Sequence, residues 1–224
     1  MNDTTAPAIR VMLVDDHPIV RRGLRDVLES AEDIRVCGES ANADDAISQI
    51  GDSRPDVAVV DIMLEGTVNG IDLVKTVSER YPEIATLVLS MHDESIYAER
   101  AIKAGARGYL MKDVAPRNII EAIRTVSRGE LYLKEKLSAV ILDKVINRNA
   151  AARAIPADRL TDRELEIFDL IGNGYSIKEI ARKLDLSIYT IASHRRNIKE
   201  KLMIENFSDV TKKAIQWVIM RQCK

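Results

Sequence analysis

The chain has little cysteine, no long hydrophobic run and almost no net charge, and each shortage closes off a class of function. Cys37 and Cys223 are the only cysteines among 224 residues. They stand far apart with no C-x-x-C spacing, which argues against a disulfide scaffold or a thiolate zinc site and leaves two reduced thiols. The longest nearly apolar stretch, residues 84–91, is far too short to span a bilayer. Residues 1–10 contain no apolar core of a secretory signal. The expectation is a cytoplasmic protein without a membrane partner. Neither an internal repeat nor a low-complexity tract is present.

The formal net charge of −2 hides an uneven distribution. Residues 1–128 carry 15 Lys and Arg against 22 Asp and Glu, a net of −7. Residues 129–159 carry 6 against 4, and residues 160–224 carry 12 against 9, a net of +3. An imbalance of +3 is common on solvated surfaces, so the placement of those cations matters more than their sum.

What is present is enough for two soluble domains: 46% of the residues are hydrophobic, and the length exceeds that of one ordinary domain. Residues 9–14 form an apolar strand ending at Asp15-Asp16, and Pro18 has the fixed φ that suits a first helical turn. Strands are predicted again over 36–39, 56–61, 85–89 and 108–111. Helices fall over the stretch after Pro18 and over 43–50, 71–81, 94–104 and 116–127, with Pro82 and Gly105 as stops. Such alternation predicts a doubly wound α/β fold, a parallel five-stranded sheet with helices on both faces.

In such a sheet ligands collect at the C-terminal strand edges. That edge would bring together Asp15, Asp16, Asp61, Ser90 and Lys112. An isolated Asp at a strand end is usually a cap or turn residue, but all five groups at one edge describe a site. Crowded carboxylates repel one another, and a hard, oxygen-seeking cation such as Mg²⁺ relieves that repulsion. Asp61 could then attack a phosphoryl group in line, Lys112 would pair with the product's charge, and Ser90 would donate a hydrogen bond to it.

Val14-Asp15-Asp16-His17-Pro18, the strand-borne Asp61, Ser90 and Gly108-Tyr109-Leu110-Met111-Lys112 resemble the receiver domain of two-component response regulators, over about residues 9–128. The resemblance implies that Asp61 is the phosphoacceptor, served by a partner histidine kinase, and that Asp15 and Asp16 help it hold Mg²⁺. It also implies that Ser90 and Tyr109 form a switch pair, the hydroxyl drawn to the phosphate and the aromatic turned inward. One feature departs from the family. A proline four residues after the phosphoacceptor and a glycine eight after it are usual, whereas this chain has Glu65 and, nine residues after Asp61, Gly70, which corresponds to one inserted residue. The longer, more acidic loop implies slower phosphorylation by small phosphodonors.

Residues 129–159 form a linker, with an amphipathic helix predicted over 134–148 and a connector lacking periodicity over 149–157. Thr161-Asp162-Arg163-Glu164 and Ser176-Ile177-Lys178-Glu179 both fit the capping box that fixes a helix start. Ser187 caps a third helix and Ser208 starts a fourth, so residues 160–224 are predicted to be all-α with four helices.

Leu160-Thr161-Asp162-Arg163-Glu164-Leu165-Glu166-Ile167, Gly174-Tyr175-Ser176-Ile177-Lys178-Glu179-Ile180-Ala181 and Thr190-Ile191-Ala192-Ser193-His194 resemble the LuxR-type helix-turn-helix domain. With the receiver, the whole chain resembles the NarL/FixJ class of response regulators. Periodicity places Ile191, Ile198 and Leu202 on the core and leaves Ala192, Ser193, Arg196 and Lys199 outward, a helix that fits the major groove of double-stranded DNA. Arg196 is the best base reader, and Tyr189, Thr190 and Lys199 are backbone contacts. Many family members carry Lys where this chain has Ala192, so one basic groove contact is absent. The apolar last helix, with Ile215, Trp217, Val218 and Ile219, packs on the core, and the resemblance adds a homodimer contact that would space two recognition helices about one DNA turn apart.

The leading expectation is a phosphorylation-controlled transcription regulator and not an enzyme. Two other classes compete with it. An Mg²⁺-dependent phosphohydrolase of the haloacid-dehalogenase kind would need a D-x-D at the first strand, which Val14-Asp15-Asp16-His17 lacks. An adaptor would bind a protein partner through the helical domain in place of DNA.

Overall fold

The computed structural model describes residues 7–64, 68–91, 94–113, 116–133 and 159–222. The chain divides into two units, the first ending at Asn147 and the second beginning at Arg148. The helix predicted over 134–148, the connector after it, Glu65 and Cys223 lie outside the described residues.

In the first unit the elements run β1 (Ile9–Val14), α1 (Pro18–Glu29), β2 (Ile34–Ser40), α2 (Ala43–Ser53), β3 (Val57–Val60), α3 (Gly70–Arg80), β4 (Ala85–Ser90), α4 (Glu94–Lys103), β5 (Gly108–Met111) and α5 (Pro116–Ser127). The sheet has the order β2-β1-β3-β4-β5 and every pairing is parallel. Leu13, Val57, Val59, Leu87 and Leu89 form one buried cluster with Leu24 and Leu28 of α1 and Ile119, Ile123 and Val126 of α5. The alternate strand residues Met12, Ala58, Val60 and Val88 are equally buried beneath the other helices. Both faces are therefore covered, which is why β3 is apolar throughout and not alternating. The second strand is longer than predicted because its register with β1 begins at Ile9 and Ile34.

Short backbone segments finish this unit. Asn69, which is buried, caps α3 by accepting hydrogen bonds from Ile71 N–H and Asp72 N–H at 2.9 and 3.0 Å. Tyr132 adds a single parallel bridge to the edge strand: its N–H donates to Arg107 O at 2.9 Å, and Tyr109 N–H donates to its carbonyl at 3.2 Å.

The second unit contains α6 (Asp162–Gly172), α7 (Ile177–Lys183), α8 (Ile188–Lys201) and α9 (Phe207–Gln222). Both capping boxes form: Thr161 with Glu164, and Ser176 with Glu179. Ser187 accepts from Thr190 N–H at 3.0 Å. The last helix starts differently from the prediction. Asn206, not Ser208, supplies the cap, accepting from Asp209 N–H at 2.9 Å. Phe168 and Trp217 centre the core with ring centroids 5.8 Å apart. Among the described residues no helix is long and apolar enough to cross a membrane.

Candidate functional site: an acidic strand-end pocket and an exposed helix face

Val14 of β1 is in register with Val60 of β3, so Asp15 and Asp61 emerge side by side where the two strands stop. Ser90 and Met111 are in register at the ends of β4 and β5, and Lys112 follows. Backbone bonds fix the exits: Asp15 N–H donates to Ser40 O at 3.1 Å, Asp61 N–H to Val14 O at 2.8 Å and Lys112 N–H to Ser90 O at 2.8 Å. Each functional side chain thus leaves a hydrogen-bonded strand end at one edge of the sheet, the edge where an open α/β fold binds ligands.

The side chains converge. Lys112 Nζ lies 2.5 Å from Asp15 Oδ2 and 2.6 Å from Asp61 Oδ2, and all three side chains are less than a tenth exposed. Burial pushes the Asp61 carboxyl up to about 6, against the opposing pull of Lys112. Burial also works against the Lys112 charge, but the Asp61 and Asp15 carboxylates outweigh it and hold Lys112 above its ordinary value. Asp15, Asp16, His17 and Asp61 each turn a ligand atom to the same spot, all within 4.8 Å of one another. Ser90 and Tyr109 are fully buried on the neighbouring strands, so the Tyr109 ring faces inward.

Two members of this site carry no role in the sequence reading. His17 Nδ1 stands 2.6 Å from Asp16 Oδ1 and 3.4 Å from Asp15 Oδ1. Its position directly after Asp16 is the signal that would have found it. Gly70, visible only as a displaced glycine, packs on the backbone of Asp61: a Cβ at this position would lie 1.8 Å from Asp61 O. Gly70 N–H also donates to Ile62 O at 2.8 Å. The chain after Asp61 therefore returns to Asp61 at the first residue of α3.

In the second unit, Ile191, Ile198 and Leu202 are buried, as their spacing predicts. Tyr189, Ala192, Ser193 and Arg196 are exposed along one side of α8. Tyr189 is 88% exposed, and Ile188 beside it is 49% exposed. Thr190 is half-buried, and its hydroxyl lies 2.8 Å from Ser187 Oγ. The cations of this helix have different surroundings. Arg195 lies over the Phe207 ring at 5.0 Å, Lys199 donates to Glu205 O at 3.2 Å, and Lys201 pairs with Glu164 at 2.7 Å. Arg196 is exposed, and neither ring nor carboxylate holds it among the described residues. On α9, Trp217 and Val218 face inward, whereas Ile215 and Ile219 are 40% and 53% exposed.

Comparison with known proteins agrees with both halves. Residues 11–124 match the response regulator receiver domain, and residues 158–214 match the bacterial regulatory proteins of the luxR family. The oxygen regulatory protein NreC of Staphylococcus epidermidis is 32% identical over 212 residues, covering 93% of this chain and 97% of that protein. NreC of Staphylococcus carnosus is 30% identical with the same coverage. Among solved structures, the RcsB response regulator of Salmonella typhimurium aligns with a TM-score of 0.65 at 27% identity, covering 95% of this chain and 99% of that one. RcsB from Salmonella enterica serovar Typhimurium bound to promoter P1flhDC in the presence of the phosphomimetic BeF3⁻ aligns at 0.59 and 27%, covering 92% and 98%. With its parallel five-stranded sheet, acidic strand-end pocket and capped helices, the chain belongs to the two-component response regulators of the NarL/FixJ class, a receiver domain joined to a LuxR-type DNA-binding domain.

Proposed function

We propose that Asp61 accepts a phosphoryl group from a histidine kinase and that its modification controls DNA binding by α8. The observation that carries this reading is the contact of one cation, Lys112, with both Asp15 and Asp61 at the strand edge. An Asp61 oxygen attacks phosphorus, the phosphorus–nitrogen bond of the donor phosphohistidine breaks, and the imidazole leaves with a proton. Asp61 must be ionised to attack, and Lys112 favours that ionised form. Once the acyl phosphate exists, Lys112 is in reach of its negative oxygens, and Ser90 supplies a hydroxyl from the adjacent strand. The Tyr109 ring, already buried in this structure, is then held in its inward position on β5.

The donor set of Asp15, Asp16 and Asp61 is made of hard oxygens and suits Mg²⁺. When bound, Mg²⁺ supplies positive charge to the transferring phosphoryl oxygens. The domains that follow from this reading are a receiver over 9–128, a linker over 129–159 whose first residues, through Tyr132, pair with the receiver's edge strand, and a helix-turn-helix domain over 160–224. Arg196 reads a base edge, Ala192 and Ser193 line the groove, and Tyr189, Thr190 and Lys199 contact the backbone. The protein works in the cytoplasm, with double-stranded DNA and its kinase as partners and a homodimer as the phosphorylated form. Support for the DNA and dimer parts comes from RcsB, whose structures include two dimers bound to two parallel DNAs. It acts as a regulator and turns over no substrate beyond its own phosphoryl group.

The test is Asp61→Ala in the full chain. Kinase and ATP should raise DNA affinity of the wild type and leave the variant unchanged; a full gain in the variant would overturn the mechanism.

A further inference from the structure

Arg163 and Glu164, consecutive residues in the first turn of α6, are only 7% and 2% exposed. Charged residues are rarely so buried unless they are paired, and both are. Arg163 Nη2 donates to Leu184 O at 3.2 Å and its Nη1 to Glu166 Oε2 at 2.8 Å. Leu184 is the C-cap of α7, three residues before the Ser187 that caps α8. Glu164 Oε2 accepts Thr161 N–H at 2.8 Å and Lys201 Nζ at 2.7 Å, and Lys201 is the last residue of α8. Neighbouring side chains of one helical turn therefore hold the approach to α8 and its far end. His194, half-buried within α8, has Arg163, Glu164 and Lys201 as its charged neighbours, so the contacts run along one flank of the helix.

We propose that Arg163 and Glu164 are positioning residues for DNA recognition, and that Lys201 anchors α8 to Glu164 instead of contacting phosphate. This inference rests on the reading of α8 as the DNA-contacting helix. A surface lysine at a recognition helix would ordinarily be assigned to the DNA backbone. Here its ammonium is committed to a buried carboxylate, and Glu164 is held below the usual carboxylate range, its hydrogen bonds to Lys201 and Thr161 outweighing burial. The two holds set the pitch at which Tyr189, Ser193 and Arg196 meet a groove. Losing one should therefore reduce discrimination more than general attraction to DNA.

The experiment uses the full-length protein with two duplexes of equal length, one selected from genomic fragments bound by the wild type and one of random sequence. Affinities are measured across a salt series. Lys201→Met should weaken the selected duplex about tenfold, weaken the random one far less and leave the salt slope unchanged, whereas Lys201→Arg should restore wild-type discrimination. Glu164→Gln, which keeps an acceptor for the capping box, should reproduce the Lys201→Met loss, and the double variant should be no worse than either single one. A phosphate-contacting Lys201 would lower the slope by about 0.9 and weaken both duplexes alike; that result, or additive losses in the double variant, overturns the inference. Should Arg196→Ala leave discrimination intact, the reading of α8 itself fails, an outcome separate from either result at Lys201.

Discussion

Lys112 Nζ lies 2.6 Å from Asp61 Oδ2 although β4 stands between the strands that carry them. The lysine crosses a whole strand at its end and takes hold of Asp15 on the far side as well. One cation thus holds together the end of β5, the end of β3 and the first acidic residue after β1. A change of charge on Asp61 consequently acts directly on β5, the strand that also carries Tyr109.

Removing that cation should leave two buried carboxylates without compensation. Breaking a buried pair from one side costs about 3 kcal/mol, so Lys112→Ala should lose roughly that much in denaturant unfolding near pH 7.5. The loss should shrink near pH 5, where Asp61 takes up a proton. An equal loss at both pH values would show that packing of the lysine stem, and not charge, is what matters.

The Asp61 carboxyl, raised to about 6, gives a further pH signature in protein stripped of divalent ions. The folded state keeps a proton that the unfolded chain releases near an ordinary aspartate value of about 3.9. Stability from this group is therefore complete below that value and is lost as pH rises through 6, by at most about 1.4 kcal/mol per pH unit. The expected result is a stability difference between wild type and Asp61→Asn that moves in the variant's favour from pH 5 to 7. Added Mg²⁺ favours the ionised carboxylate and should flatten the slope. A slope insensitive to Mg²⁺ would mean that Asp61 is not a ligand.

Gly70 is constrained by closeness to Asp61 and not by an unusual φ. Because the atoms in the way are Asp61 O and C and Ile62 Cα, backbone and not a flexible side chain, Gly70→Ala has no inexpensive relief. It should cost about 3 kcal/mol in thermal or urea unfolding and slow phosphoryl uptake by displacing Asp61. Wild-type stability with normal uptake would show that the loop absorbs the methyl group.

On the DNA side, Arg196→Ala should flatten discrimination between selected and random duplexes. The Lys199 ammonium would exchange its bond to Glu205 O for a phosphate when DNA binds, so Lys199→Ala should weaken both duplexes and reduce the salt slope by about one. Filter binding or fluorescence anisotropy across a salt series separates the two. Equal weakening on both duplexes for Arg196→Ala would reassign that residue to a phosphate.

Much of this was legible along the chain. The capping boxes at Thr161 and Ser176 are local patterns, closed within four residues, and they form as written. Asp15, Asp16, Asp61, Ser90 and Lys112 could be named because each follows an apolar strand, and a parallel sheet aligns strand ends whatever the loop lengths between them. The Asn206 cap escaped detection because Asn, Phe and Ser all stand at that helix start, and only the bond to Asp209 N–H selects among them.

By itself, the sequence determined the order of elements, the all-parallel topology and the carboxylates, hydroxyl and lysine at the strand ends, though not His17 and Gly70 beside them, since periodicity and strand ends are properties of neighbouring residues. Only the tertiary structure decided that Lys112 spans β4 to meet Asp61, that Gly70 packs on the Asp61 backbone, and that Arg195, Lys199 and Lys201 engage their own protein while Arg196 is left to the solvent. Those facts depend on contacts that no single helical turn or strand contains, from Lys199 with Glu205 six residues on to Lys112 with Asp61 far back in the chain. A hydrophobic repeat records which face of an element is buried, but not which charge it meets there.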